Sequence, residues 1–228
     1  MKRPMAEKMD YKQKQKELYQ PSREPKVIAV PPMLFLKVDG QGDPNQEGGE
    51  YQTAVGLLYA LTFTIKMSAK GGKALPGYFE YAVPPLEGLW WLKDDQDMDF
   101  FSHKERYFWT SMIRQPEFVT EDVLAWAKDE VRRKKPGMDV TRARILSFHE
   151  GLCVQALHVG PYATEPETLS RMDAYIRDNN LECDIGAPLP NGMCRRHHEL
   201  YLGDPGKTKP GNLKTVLRHP VKRREGQS

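Results

Sequence analysis

The chain is expected to adopt an α+β fold made of two β-α-β-β units. Strand-like alternation and helical periodicity follow one another in the same order in both halves, and each half closes on an aromatic strand pattern. In the first half, Met33 to Val38 reads as a strand ending at Asp39-Gly40, followed by a loop, an amphipathic helix and two further strand-like runs. In the second, Leu152 to Val159 reads as a strand ending at Gly160-Pro161, a helix follows from about Pro166, and a closing strand carries Glu199 and Tyr201. Setting Gly88 to Asp94 against His198 to Asp204 pairs Trp91 with Tyr201. From Gly40 to Trp91 is 51 positions, and from Gly160 to Tyr201 is 41. The longer first copy fits its longer helix and the glycine loop at Gly71-Gly72, where insertion costs little.

The helices carry their own signals. Ala54, Leu57, Leu58, Leu61 and Ile65 lie on one stripe, so Tyr51 to about Met67 is expected to cover a sheet with that face. Thr120 precedes Glu121 and Asp122, and the same helix ends in Arg132, Arg133, Lys134 and Lys135 before Pro136-Gly137, so both ends complement the helix dipole. Thr164 and Glu167 form a capping-box pattern for a third helix, with Leu169, Met172 and Ile176 facing inward. The expected organisation is an arm over 1–25, one domain over 26–220 and a basic tail over 221–228. Within that domain the repeats run at about 33–95 and 145–205, with an aromatic and helical connection over 96–140.

Composition narrows the function classes. With 228 residues, 39% of them hydrophobic, the chain can bury a substantial core. The net charge of +3 is slight and sits mostly at the two ends, without the interleaved aromatics of a nucleic-acid surface, so no nucleic-acid partner is expected. No apolar run reaches signal-peptide or membrane-span length, so no membrane partner is expected and the cytoplasm is the expected location. Cys153, Cys183 and Cys194 lack metal-ligand spacing and read as reduced thiols. His197 and His198 are adjacent on a strand and point to opposite faces, so neither a metal site nor a cofactor is expected.

The functional signal lies in two segments. Glu199 alternates with Tyr201 along a half-buried strand, and a buried carboxylate needs a partner or a purpose. Trp90, Trp91, Phe100, Phe101, Tyr107, Phe108 and Trp109 put seven rings within twenty residues, a density suited to a contact surface or a pocket wall. Alternation lets only one of Trp90 and Trp91 face a cleft. Leu89, Tyr78, and the His158 and Tyr162 that flank Gly160-Pro161 complete the candidate lining. An aromatic patch of this kind would equally serve a homodimer or a protein partner.

These segments carry a resemblance. Met33 to Asn45, Pro84 to Trp91 and His198 to Pro205, in that order, resemble the stand-alone GyrI-like proteins, a family of small-molecule-binding domains. The resemblance runs from about Asp10 to Pro220. It implies two antiparallel sheets about a pseudo-two-fold ligand cleft, with helices on the outer faces and lipophilic, often flat or cationic ligands. It also implies a pocket carboxylate at the position of Glu199, and aromatic lining at Trp90, Trp91, Tyr107 and Trp109. Some stand-alone members are similar to hydrolases that open the cyclopropane ring of DNA-alkylating compounds. In that chemistry Glu199 would be the base, with Tyr201 or Tyr107 as donor to the developing oxyanion. A non-catalytic multidrug-binding protein, or a protein-interaction module of the gyrase-inhibitor kind, is the alternative.

Overall fold

The computed structural model describes residues 8–92 and 103–224. Asp94, Phe100 and Phe101, named above, lie outside the described residues. Among the described residues, nine strands form one antiparallel sheet: β1 (Lys26–Val30), β2 (Met33–Gln41), β3 (Leu86–Leu92), β4 (Tyr107–Arg114), β5 (Arg144–Phe148), β6 (Gly151–Val159), β7 (Leu181–Cys183), β8 (His197–Tyr201) and β9 (Lys214–Arg223). The main order is β1-β6-β9-β8-β3-β4-β2-β5, with β7 joined to β9.

This order contains the duplication. The run β3-β4-β2 in one half corresponds to β8-β9-β6 in the other, and β5 and β1 extend the two edges. The halves meet along β3 and β8, where Gly88 pairs with Glu199 and Trp90 with His197. The two sheets implied by the duplication are thus continuous through the central strand pair. Within the segment over 96–140, Tyr107–Arg114 forms the sheet strand β4, and β9 runs through Arg223 with Val221 buried, so those residues belong to the sheet and not merely to a connection and a tail.

Five helices are described: α1 (Tyr11–Lys14), α2 (Lys16–Tyr19), α3 (Glu50–Lys66), α4 (Glu121–Lys134) and α5 (Glu165–Asp178). The α3 stripe of Ala54, Leu57, Leu58, Leu61 and Ile65 is buried and packs with Leu36 and Val38 of β2. Val123, Leu124, Ala127 and Val131 of α4 join that cluster. Met172 and Ile176 of α5 pack on Val154, Ala156 and Leu217 in the other half. The three long helices therefore lie on one face of the sheet, α3 and α4 over the outer strands of the first half and α5 over those of the second, and the central β3–β8 pair runs between α3 and α5.

The opposite face is covered by the N-terminal segment. Tyr11, Leu18 and Tyr19 bury themselves with Met33, Phe35, Leu89, Phe148 and Leu200. With apolar cover on both faces, β2 reads as a nearly continuous hydrophobic run. Thr120 caps α4 by accepting from the Val123 amide. Thr164 makes no such bond: its hydroxyl donates to the Pro161 carbonyl at 2.9 Å, so the capping box expected for α5 does not form.

Candidate functional site

The site is built on the strand pair shared by the two halves. Glu199 stands opposite Gly88, on the face that carries α3 and α5. A side chain at position 88 would put its Cβ 2.6 Å from Trp90 Nε1 and 3.1 Å from the Tyr201 hydroxyl. Glycine there lets the two rings meet above the backbone, and the Trp90 indole donates to the Tyr201 oxygen at 2.9 Å. Position 40 repeats the device, since a Cβ there would stand 2.3 Å from the Trp109 ring, which pairs across from it.

Around Glu199 the rings form a box. Tyr51, from the first turn of α3, packs 5.3 Å from Trp90 and edge-on to Trp109 at 5.2 Å. Tyr107 stands edge-on to Trp90 at 5.7 Å, and Tyr162 edge-on to Tyr201 at 6.1 Å. Tyr162 is 37% exposed whereas Trp90 is 5% exposed, so Tyr162 marks the solvent side. Burial, and then the charge of Glu199, hold the Tyr201 proton well above the usual phenol range. The same two causes, in the same order, push Tyr162 up to about 12.

One imidazole from its own strand holds the carboxylate, and a second from the next strand backs the first. His197 Nε2 lies 3.0 Å from Glu199 Oε1, and His197 Nδ1 lies 2.9 Å from His219 Nε2. Burial, and then the neighbouring His197, push His219 down to about 3, so it is neutral at ordinary pH. A second carboxyl group arrives from α5: Glu165 is 2% exposed and its carboxyl meets the hydroxyl of Thr215, the strand partner of Tyr201. Burial, and then Glu199, push Glu165 up to about 9.

Behind the site, on the other face, β8 is anchored by a buried ionic network. His198 lies 3.1 Å from Glu87 Oε2 and 3.1 Å from Glu150, and Arg218 donates to Glu150 at 2.9 Å. Arg218 also donates to Gln155 at 3.0 Å and to the Leu18 carbonyl at 3.1 Å, which ties α2 to the sheet. Burial alone would lower His198, but its carboxylate partners outweigh it and raise the imidazole to about 9. Burial alone would raise Glu150, but His198 and Arg218 pull it down to about 2. The network is two cations against two carboxylates, and it leaves β8 little freedom to shift.

The structure brings together Glu199, Tyr201, Trp90, Trp109, Tyr107 and Tyr162 of the residues singled out from sequence. Others lie elsewhere. The register puts Trp90, and not Trp91, on the face of Tyr201, so the alignment pairing Trp91 with Tyr201 is one residue out of phase. Trp91 and Leu89 point to the other face, where Trp91 stacks on Phe108 at 6.0 Å beneath the Arg196 guanidinium. They line a cavity of about 520 Å3 there, together with Lys37, Phe108, Met193 and Arg196. Tyr78 lies by the C-terminal end of α3, where its hydroxyl donates to the Lys66 carbonyl at 2.7 Å. His158 is buried against Thr168 and the Pro161 carbonyl and braces the turn into α5.

Sequence reasoning did not find Tyr51, Glu165, His219 or Thr215. Tyr51 reads in the sequence only as the start of a helix, and Glu165 falls just before the helix expected from about Pro166. Their one signal was position: each begins the helix of its own repeat, and the duplication turns both toward the shared strand pair.

The GyrI-like small molecule binding domain family model matches residues 23–222. Among solved structures, the chain is similar to an uncharacterized conserved protein from Listeria innocua, at 46% identity and a TM-score of 0.85 over 94% of this chain and 100% of that one. It is also similar to two structures of a hydrolase from Listeria innocua, each at 45% identity and covered over its full length. Their TM-scores are 0.82 and 0.83, over 94% and 95% of this chain. Comparison with curated proteins gives no match. Among the described residues, no helix is long and apolar enough to cross a membrane.

Proposed function

The chain belongs to the GyrI-like family of small-molecule-binding domains, and from that premise we propose that it is a hydrolase acting on lipophilic, flat electrophiles, those with a strained cyclopropane joined to a conjugated carbonyl. The observation that supports this most is one carboxylate, Glu199, held on the central strand pair inside a box of Tyr51, Trp90, Trp109 and Tyr201. Aromatic walls hold a flat substrate by offset or edge contacts. Glu199 takes a proton from water as the water oxygen attacks a ring carbon; the ring C–C bond breaks, and its electron pair moves onto the conjugated carbonyl. Tyr201, with its proton held by the adjoining carboxylate and its oxygen accepting from Trp90, positions Glu199. The likeness to hydrolase structures at 45% identity supports the reaction class, and removal of a reactive alkylator from the cell would be its use.

The test is turnover. Catalytic amounts of protein are incubated with a cyclopropane-bearing alkylator, and the product is weighed by mass spectrometry. Many equivalents of a one-water adduct, lost in Glu199→Gln, are expected. A second reading rests on the same box, because a carboxylate among rings also attracts a flat cation with no chemistry. Saturation at one equivalent, with quenched tryptophan fluorescence and unchanged ligand, would favour that reading and remove the hydrolase.

A further inference from the structure

We propose that Glu165 is a second catalytic carboxyl group of the Glu199 site, the acid that protonates the substrate oxygen while Glu199 deprotonates water. The proposal rests on the hydrolase reading above and supplies the proton donor that reading needs.

Geometry favours Glu165 over the tyrosines. Tyr201 directs its hydroxyl at Glu199 and accepts from Trp90, so its proton is engaged in holding the base. Tyr107 lies on the Trp90 side of the box, at the Leu92 pair of the β3–β4 ladder, while Glu199 stands at the Gly88 pair. Glu165 enters from the other side, on the first turn of α5, next to the Thr215 hydroxyl that faces Tyr201 across the β8–β9 ladder. Its Oε1 is buried and has no hydrogen-bond partner among the described residues, so one oxygen is anchored and the other is left for a ligand.

The protonation state agrees. A helix N-terminus favours a carboxylate, yet here the group is buried beside Glu199, and both effects oppose a second negative charge. The titratable groups facing it are Glu199 and Tyr201 from β8 and Tyr162 from the turn into α5, with His158 of β6 beneath that turn. Glu199, Tyr201 and Tyr162 are acids and give it no cation. A carboxyl group that keeps its proton beside a second carboxyl group can serve as the acid of an acid–base pair.

The step balances. Water gives its oxygen to the ring carbon and its proton to Glu199; the electrons of the broken C–C bond reach the carbonyl oxygen, which takes the Glu165 proton. Solvent then carries the proton from Glu199 back to Glu165, and the net change is addition of one water.

Three measurements test it. In the pH profile of kcat/KM for an activated cyclopropyl ketone, Glu165→Gln is expected to lower kcat by about 10²–10⁴-fold, remove the alkaline limb and leave KM within a few fold. A substrate whose carbonyl oxygen is made less basic by electron-withdrawing groups should shrink that loss, which a merely structural role would not do. Independently of turnover and of the variant's folding, infrared spectra of the wild type with 13C-labelled glutamate should show a protonated carboxyl band at pH 7 that vanishes above pH 9. A variant retaining wild-type kcat and the alkaline limb would overturn the Glu165 assignment while leaving the hydrolase standing, as would absence of the infrared band. Absence of any wild-type turnover would overturn both.

Discussion

Replacing Gly88 by alanine tests how the aromatic box is assembled. The new methyl would stand 2.6 Å from Trp90 Nε1, closer than a methyl group tolerates, and would crowd its Cε2 at 3.2 Å and the Tyr201 hydroxyl at 3.1 Å. Trp90 cannot swing aside freely, because Tyr51 packs against one side of it at 5.3 Å and Tyr107 meets it at 5.7 Å. Overpacking of this kind costs about 1–3 kcal/mol. Loss of the indole-to-phenol hydrogen bond adds about 0.5–1.5 kcal/mol, so a total of about 1.5–4.5 kcal/mol is expected. Urea unfolding followed by far-ultraviolet circular dichroism measures it. A double-mutant cycle sharpens the assignment: Trp90→Phe lacks the indole atoms that meet the methyl, so adding Gly88→Ala in that background should cost less than about 1 kcal/mol. Additive costs in the cycle, or a loss below about 0.5 kcal/mol for Gly88→Ala alone, would refute the idea that the missing side chain makes room for this contact.

Removing His198 as His198→Gln leaves Glu87 and Glu150 buried without their shared cation, and a loss of about 3–5 kcal/mol in urea unfolding is expected. Folded His198 is raised to about 9, so its contribution is complete below the ordinary value of 6.5 and is lost as pH rises through 9. Glu150 is lowered to about 2, so its contribution is complete above 4.5 and is lost as pH falls through 2; the stability gap between wild type and variant should therefore be widest between pH 4.5 and 6.5. Glu165 acts in the other sense: its folded form keeps a proton from 4.5 up to about 9, so wild-type stability relative to Glu165→Gln should fall as pH rises across that window, and a flat difference in thermal melts would contradict the assignment. Trp90→Ala should weaken binding of a flat aromatic ligand at least tenfold by calorimetry, whereas Trp91→Ala, on the opposite face, should leave that affinity within about twofold.

The sequence alone determined the three long helices and, in order, the strand runs that begin at Met33 and Leu152 and the one that carries Glu199. Local interactions write these signals: the α3 stripe from Ala54 to Ile65 is a matter of 3.6-residue periodicity, and the Thr120 cap and the basic end of α4 are matters of helix-end chemistry. Duplication was legible for the same reason, since each copy repeats its own periodicities, and alternation singled out Glu199 and Tyr201 as sharing a face. Tertiary structure decided everything that depends on strand pairing. Which of Trp90 and Trp91 meets Tyr201 turns on a one-residue register, and a slip of one residue exchanges the faces of a strand. His219 and Thr215 reach the site only because β9 pairs with β8, and Glu165 and Tyr51 only because two helices distant in sequence lie on one face of one sheet. A carboxylate's neighbours across a sheet leave no trace in its own segment, so the chain shows where Glu199 alternates, and the fold alone shows what surrounds it.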